Sequence, residues 1–350
     1  MMSAFATRLV DWQRRHGRSG LPWQVADPYR VWVSEIMLQQ TQVATVLDYY
    51  PRFMARFPTV GELGRAALDE VLALWSGLGY YSRARNLHKA AQRIVTEHDG
   101  VFPQRFEQVL DLPGIGRSTA AAICAFARGE RRAILDGNVR RVLARWGGIE
   151  GFTGGKAVEN RLWTLAESLL PAASADMVAY TQGLMDLGSL VCTRGKPACG
   201  RCPLAADCVA LRDDRVGSLP TPRPKKAQPT RDAVWLLARD SSGRVLLERR
   251  PESGIWGGLW SLPELASSDA VDAAAAQYDF KVDQIEPAWH EIEHVFTHFR
   301  LLALPLPVRV AAHGERQDGR QGWFLPAEAL TMGLPAPVRR LLDAPSGTLF

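Results

Sequence analysis

Apolar residues recur at intervals of three and four along almost all of the first 212 positions. The runs that carry this pattern are VWVSEIMLQQTQVATVL, LDEVLALW, ARNLHKAAQRIV, GRSTAAAICAFA, NVRRVLARW and VENRLWTLAESLL. Such spacing gives a helix one apolar face, and no alternating, strand-like stretch interrupts it. The amino-terminal run MMSAFATRLVDWQRRHG is amphipathic in the same way. The pattern therefore predicts an all-α domain over residues 1 to 215.

A polar, proline-rich segment separates this region from one with a different pattern. Residues 217–232 hold four prolines and four basic residues with almost no apolar content, which predicts an extended, exposed linker, placed at 216–230. Beyond it, AVWLLARD and RVLLERR flank a turn at Ser241-Ser242-Gly243 and predict a hairpin, and HVFTHFRLLALPLPVRV predicts further strands. The run Ala273 to Ala276 fits a surface helix. Residues 231–350 are therefore expected to form an α+β domain.

Length and composition allow two compact domains. The chain has 350 residues, of which 47 % are hydrophobic, and no stretch of about 18 consecutive apolar residues. The amino terminus lacks the charged head and apolar core of a secretion signal, so we expect a cytoplasmic protein that does not enter a membrane. We also expect a monomer. The net charge of +5 suits a polyanionic partner, although so small a surplus is only a weak indication.

Four of the five cysteines are clustered. Cys192, Cys199, Cys202 and Cys208 lie within seventeen residues, whereas Cys124 stands alone in an apolar run. Without a secretion signal, such clustering indicates metal ligation instead of disulfides. Four thiolates suit either zinc or a four-iron cluster, but a zinc ribbon usually has two C-x2-C pairs, and here there is one.

A glycine-containing turn joins two predicted helices. Leu112-Pro113-Gly114-Ile115-Gly116 lies between RFEQVLD and RSTAAAICAFA. Glycines in such a turn let backbone N–H groups approach a phosphate closely, and the following helix adds the partial positive charge of its amino terminus. The turn is therefore a candidate phosphate-binding site, although turns of this composition also occur with a purely structural role.

Five segments in this order resemble adenine DNA glycosylases of the MutY type, in the helix-hairpin-helix superfamily. They are SEIMLQQTQV, GLGYYSRARNLHKAA, LPGIGRSTA, ILDGNVRRVLAR and the cysteine loop. The resemblance implies a six-helix barrel over about 28–136 and a cluster-bearing subdomain from 1–27 and 137–215. It also implies one [4Fe-4S] cluster and a substrate of duplex DNA with adenine opposite 8-oxoguanine or guanine.

The resemblance assigns two catalytic carboxylates. Glu35 matches the family's acid, and Asp136 matches the carboxylate that stabilises the sugar cation or captures it covalently. Three apolar residues would share the helix face of Glu35: Val31, Trp32 and Leu38. Apolar surroundings raise a carboxyl pKa and keep its proton available. Asp136 would also cap the helix VRRVLARW, while Asn138 would position the water or the sugar.

The remaining site residues concern DNA. By resemblance, Gln40 and Tyr80 intrude into the base stack, and the hairpin contacts DNA through Leu112, Gly114, Gly116 and Ser118. Related endonuclease III-type enzymes have a lysine at the position of Ser118, which attacks the sugar as an amine. Serine there implies a monofunctional glycosylase.

The carboxy-terminal domain resembles a Nudix fold in GIWGGLWSLPE, yet ASSDAVDAAAAQ stands where a pyrophosphatase would need its metal-binding carboxylates. Recognition is therefore its expected role, and Phe296, Thr297 and His298 match the family's loop that reads oxidised guanine. His290, His294 and His298 recur every four residues, but in loop and strand sequence that does not favour a metal site.

Three alternative functions agree less well with the sequence. A bifunctional glycosylase and lyase is disfavoured by Ser118 and by the second domain. A non-catalytic DNA-binding module is disfavoured by the pair of carboxylates, Glu35 and Asp136. A nucleotide pyrophosphatase is disfavoured by the missing Nudix carboxylates.

Overall fold

The computed structural model describes residues 4–223, 228–296, 298–313 and 319–343. The chain forms two compact units that are not contiguous in sequence. The first unit comprises Met1–Arg65 and Lys89–Lys225, and the second comprises Ala66–His88 and Lys226–Phe350.

The first unit is helical, as the apolar spacing predicts. Its helices are α1 (Ala4–His16), α2 (Pro28–Leu38), α3 (Val43–Arg56), α4 (Val60–Arg65), most of α6 (Ser82–Glu97), α7 (Phe106–Leu110), α8 (Arg117–Arg128), α9 (Gly137–Trp146), α10 (Lys156–Ser168), α11 (Met177–Asp186) and α12 (Val209–Arg212). A π-helical turn at Leu187–Val191 continues α11 towards the cysteines. Within residues 4–223, the β structure amounts to one bridge, between Phe152 and Thr221.

The core of this unit brings the amino terminus against helices from late in the chain. Phe5 of α1 contacts the ring of Trp146 at a centroid distance of 4.8 Å and that of Tyr180 in α11 at 6.4 Å. Arg14 extends from the end of α1 to Asp176, just before α11, at 2.7 Å. Burial of these apolar faces stabilises the unit far more than helix propensity does.

One predicted helical run is interrupted. In VWVSEIMLQQTQVATVL, α2 ends at Leu38 and α3 begins at Val43. Gln40 between them has a φ of 57°, in the left-handed region that non-glycine residues rarely adopt. Apolar periodicity continues through both helices, so it could not reveal the break between them. The chain changes direction at this break.

Part of the predicted exposed linker is packed. Leu219 is only 2 % exposed, and its carbonyl accepts a hydrogen bond from Nε of Arg145 at 2.8 Å. The hydroxyl of Thr221 accepts one from the backbone N–H of Gly151 at 3.0 Å. Prolines favour extended chain without deciding whether that chain is solvated. The prediction of an exposed linker was therefore wrong for this stretch.

The second unit contains one mixed sheet. Its strands are β1 (Thr230–Asp240), β2 (Val245–Arg249), β3 (Trp260–Ser261), β4 (Glu264–Leu265), β5 (Phe280–Ile285), β6 (Ile292–Val295), β7 (Arg300–His313) and β8 (Gln321–Phe324). The order is β3-β2-β1-β7-β5, with β4 on β1, β6 on β7 and β8 on β2. β1 and β7 are parallel, and the predicted hairpin of β1 and β2 is confirmed.

Both faces of the sheet are covered. Along β1, Trp235 and Leu237 point into one apolar cluster, and Leu236 and Ala238 point into another. The alanine run lies in a helix, as expected. The helices of this unit are α5 (Leu68–Trp75), the start of α6, α13 (Val271–Tyr278), α14 (Pro326–Ala329) and α15 (Ala336–Asp343).

The segment 66–88 belongs to this unit because it contacts the carboxy-terminal residues. Asp69 pairs with Arg249 at 2.7 Å, and the hydroxyl of Tyr81 donates to the carbonyl of Leu334 at 3.0 Å. The compact units therefore differ from the expected domain ranges, which assigned 66–88 to the helical barrel.

Candidate active site and cysteine loop

A cavity of about 1250 Å³ in the first unit brings both predicted carboxylates together. Glu35 lines it from the last turns of α2, and Asp136 from the start of α9. Asn138 and Ser118 line the same cavity. The cavity is therefore the candidate active site.

Glu35 reaches this cavity from a helix whose other residues are almost all in the core. Val31 and Trp32 are 1 % and 0 % exposed, so the helix cannot rotate to place the carboxyl in solvent. Burial, followed by the nearby charge of Asp136, raises the pKa of Glu35 to about 8. The carboxyl therefore holds a proton at neutral pH.

Asp136 has different surroundings because it caps α9. Its Oδ1 accepts hydrogen bonds from the backbone N–H groups of Asn138 at 2.7 Å and Val139 at 2.8 Å. Burial raises the pKa of Asp136, but these two bonds and the charges of Arg141 and Arg140 oppose that effect. These donors favour the carboxylate form of Asp136, and among the described residues Glu35 has no such donor. The predicted capping role is confirmed.

One arginine connects the active site to the cysteine loop. Arg141 donates through Nη2 to Oδ1 of Asn138 at 2.7 Å and through Nε to the carbonyl of Cys192 at 2.7 Å. It also donates to the carbonyl of Gly188 at 2.6 Å. A Cβ at Gly188 would lie 2.6 Å from that of Asn138, so only glycine allows this approach.

The four clustered cysteines line one small cavity beside α9. Arg145 is 3 % exposed and holds the loop by donating to the carbonyl of Thr193 at 2.7 Å and to Sγ of Cys192 at 3.3 Å. Four thiol sulfurs and an arginine donor fit an iron-sulfur cluster, which carries net negative charge when ligated by thiolates. Among the residues described, no group of three His, Cys, Asp or Glu side chains is arranged to hold a single metal ion, and this includes the four cysteines.

Sequence reasoning missed an ion pair in the cavity wall. Asp186 is fully buried, and it accepts from Nε of Arg18 at 2.6 Å and from Nε2 of Gln182 at 2.9 Å. Arg18 and Gln182 both line the cavity. A single carboxylate in the apolar run GLMDLGSLV was a usable sign of a buried pair. Its partner lies 168 residues away and could not be found from spacing.

The predicted hairpin residues divide into two groups. Gly114 has a φ of 77°, and both it and Gly116 are exposed with free backbone surface. Leu112 is only 3 % exposed, so its side chain belongs to the core and is not available to DNA. The hydroxyl of Ser118 accepts from the backbone N–H of Leu135 at 2.9 Å, which ties the hairpin helix to the residue before Asp136.

Both residues predicted to intrude into the base stack have left-handed backbones. Gln40 is exposed with a φ of 57°, and Tyr80, in the second unit, is 44 % exposed with a φ of 49°. Non-glycine residues in this region are uncommon and concentrate at functional sites. Each backbone turns sharply at the residue that the family resemblance selects.

The predicted oxidised-guanine loop lies in an aromatic cluster of the second unit. Phe296 stacks on Phe299 at 4.5 Å and contacts Trp256 at 5.1 Å. The side chain of Gln228 donates to the carbonyls of both phenylalanines and so closes the turn between them. His298 is exposed, and Thr297 lies outside the described residues. His294 packs on Phe296 from β6, as a strand residue.

Three protein families match the chain in the order that the fold suggests. Residues 33–168 match the HhH-GPD superfamily of base excision DNA repair proteins, 192–208 match the iron-sulfur binding domain of endonuclease III, and 234–344 match the NUDIX domain. A solved thymine-DNA glycosylase is 27 % identical with a TM-score of 0.52, covering 60 % of this chain and 95 % of its own. The fold and site thus define a base excision DNA N-glycosylase with an iron-sulfur cluster and a Nudix-like domain.

Relatives of known activity narrow this class. The adenine DNA glycosylase of Buchnera aphidicola (subsp. Acyrthosiphon pisum) is 35 % identical over 342 residues, which cover 97 % of both chains. That of Homo sapiens is 34 % identical and covers 86 % of this chain and 66 % of its own. The chain belongs to the adenine DNA glycosylase family. In the part of the chain that the structure describes, no helix is long and apolar enough to cross a membrane.

A solved endonuclease III–DNA complex supports the same fold. It has a TM-score of 0.50 at 20 % identity, and covers 61 % of this chain and 99 % of its own. At that identity the likeness concerns the arrangement of helices alone.

Proposed function

We propose that this protein removes adenine paired with 8-oxoguanine or guanine in duplex DNA, with Glu35 as the acid and Asp136 as the carboxylate that stabilises the sugar cation. The observation that carries the proposal is that two partly buried carboxyls line one cavity in different surroundings. Glu35 has its pKa raised to about 8 and no donor among the described residues, whereas Asp136 receives two backbone hydrogen bonds. Separated roles for two such groups are what glycosidic cleavage requires.

The chemistry follows from those surroundings. Adenine is a poor leaving group until a ring nitrogen gains a proton, which neutral Glu35 supplies. As the bond between that base and the sugar breaks, positive charge develops on the sugar, and the fixed charge of Asp136 stabilises it. Water then adds to the sugar carbon and leaves an abasic site. Asn138, held by Arg141, is placed to orient the water or the sugar.

The enzyme should be monofunctional. Ser118 stands where an amine nucleophile would be needed, and its hydroxyl is already bonded to the N–H of Leu135. No imine with the sugar can form at a serine, so strand cleavage lacks its first step.

Recognition of the opposite base is assigned to the second unit. Phe296, Thr297 and His298 supply an aromatic ring, a hydroxyl and an imidazole in three consecutive residues. Gln228 donates to the carbonyls of Phe296 and Phe299. Gln40 and Tyr80 would fill the space left in the base stack when adenine is extruded.

The experiment is a base-release assay on duplexes that place adenine opposite 8-oxoguanine, guanine, cytosine or thymine. Release is expected opposite the first two, with strand breaks only after alkali and no protein–DNA adduct trapped by borohydride. Efficient strand scission without alkali would contradict monofunctional chemistry. Equal release from all four duplexes would contradict the assigned mispair.

We further propose that the cysteine loop holds a [4Fe-4S] cluster. Four thiol ligands without histidine suit a cubane, whereas zinc needs all four sulfurs about 2.3 Å from one point. The purified protein should be yellow-brown with about four irons per chain. One zinc and no iron would overturn this assignment.

A further inference from the structure

The turn that carries Tyr80 is unusually constrained. We name residues 76–80, in the segment between α5 and α6, the Tyr80 turn. Gly77 and Gly79 have φ values of 101° and 72°, and Tyr80 follows at 49°. Two glycines tolerate this conformation, but a tyrosine does not adopt it without support from its neighbours.

Arg83, the second residue of α6, supplies that support. It is only 7 % exposed, and its Nη2 donates to the carbonyls of Leu78 at 3.2 Å and Gly79 at 3.1 Å. Its guanidinium lies over the rings of Trp75 at 5.4 Å and Tyr80 at 5.6 Å. Trp75 adds a third bond, from Nε1 to the carbonyl of Gly79 at 3.2 Å.

A second anchor comes from the carboxy-terminal part of the same unit. The hydroxyl of Tyr81 accepts from the backbone N–H of Gly77 at 3.3 Å and donates to the carbonyl of Leu334 at 3.0 Å. Leu334 is fully buried, so this carbonyl is a fixed point. The Tyr80 turn is therefore fixed at its start and at its end, while the Tyr80 ring stays 44 % exposed.

We propose that Arg83 is a positioning residue that holds Tyr80 in its DNA-inserting conformation before DNA is bound. The inference rests on the proposed role of Tyr80 in the base stack. A side chain that is already ordered loses no conformational freedom on binding, so more of its stacking energy is available to hold the extruded state. Lysine cannot replace arginine here, because one ammonium lacks the planar group that stacks on two rings and bridges two carbonyls.

The test uses the full-length protein and a duplex with 2-aminopurine beside the 8-oxoguanine. A non-hydrolysable 2′-fluoro-adenosine opposite the lesion prevents turnover, so the fluorescence change reports insertion into the stack. Single-turnover release of adenine is measured in parallel on the ordinary duplex. His88→Gln is the matched control, because His88 lies on the same helix, is 5 % exposed and contacts the carbonyl of Ala66.

Tyr80→Ala should abolish the fluorescence change. Arg83→Gln should lose most of it and slow base release about tenfold, the effect of losing about one hydrogen bond from a charged group. Arg83→Lys should be intermediate, and Arg83→Gln should have no further effect in the Tyr80→Ala background. His88→Gln should retain the wild-type change.

Each failure has its own meaning. If Arg83→Gln keeps the wild-type fluorescence change while Tyr80→Ala loses it, the proposed role of Arg83 is overturned. A normal change in Tyr80→Ala overturns the proposed insertion itself. If Arg83→Gln does not fold, Arg83→Lys decides, and a wild-type change and rate in that variant overturn the inference.

Discussion

At the scale of the residue, the raised pKa of Glu35 gives base release a defined response to pH. In the proposed role of acid, Glu35 works in its protonated form, which dominates below a pKa of about 8. The single-turnover rate should therefore be level between pH 6 and 7.5, and above pH 8 fall towards tenfold per pH unit. Glu35→Gln should abolish release at every pH while DNA binding persists. An unchanged rate at pH 9.5 would contradict the acid assignment.

The same pKa predicts an effect on stability. A carboxyl whose folded pKa lies above its unfolded value stabilises the fold below about pH 4.5, and this contribution is lost as the pH rises through about 8. Glu35→Gln should therefore become more stable than the wild type at pH 9, on the order of 2 kcal/mol. Urea unfolding at pH 5 and pH 9 measures the difference.

Residues with chemical roles differed in how far the sequence could reveal them. Glu35 and Asp136 were expected in one site, and the structure brings them to one cavity. The pair of Arg18 and Asp186 was not found, because long-range pairing leaves no periodic trace. The side chain of Leu112 is buried, so a DNA contact there would have to involve its backbone, and a motif does not show which of its side chains face inward.

At the scale of the element, the amino terminus of α9 joins a structural role to a chemical one. Asp136→Asn keeps an oxygen that can accept from both N–H groups but removes the charge. The variant should be within about 0.5 kcal/mol of wild-type stability and release adenine at least about 100-fold more slowly. Asp136→Ala should lose about 1 kcal/mol in addition, through loss of the cap. Thermal unfolding and single-turnover rates together separate the two effects.

Helices and strands followed the apolar pattern closely, whereas their interruptions did not. The hairpin of β1 and β2 and the helices from α6 to α10 fall in the predicted segments. The break at Gln40 is invisible to periodicity, because α2 and α3 each continue their own apolar face. Leu219 shows the reverse limit, since a proline-rich segment gains its burial from the distant Arg145.

At the scale of the whole molecule, selectivity for the opposite base can be tested without truncation. Replacing Thr297 and His298 with alanine should reduce the preference for adenine opposite 8-oxoguanine over adenine opposite guanine by about one to two powers of ten. Removal of one hydrogen bond and one aromatic contact accounts for that size. Single-turnover rates on both duplexes are required, because slow product release would mask the difference.

Deleting the chain after Thr230 is a less specific experiment than those substitutions. The residues removed include Leu334 and Arg249, which contact Tyr81 and Asp69 in segment 66–88. Truncation should thus reduce release opposite both guanine and its oxidised form. The sequence could not indicate this, because α5 and α6 have the apolar spacing of ordinary barrel helices. If the variant with alanine at 297 and 298 lost the same fraction of its single-turnover rate on both duplexes, these residues would add only general affinity for DNA.

The packing of α1 against α11 sets an order on biosynthesis. Arg18 follows the first helix, yet its partner Asp186 is translated 168 residues later. Until the ribosome has released that later segment, α1 can pack Phe5 on Trp146 of α9 but lacks the ring of Tyr180 in α11. Nascent chains that stop before α11 therefore carry Glu35 and Asp136 without the part of the cavity wall that α11 supplies, including Gln182. The active site can form only after most of the first unit has been synthesised, at about the time the cysteine loop also becomes available for iron.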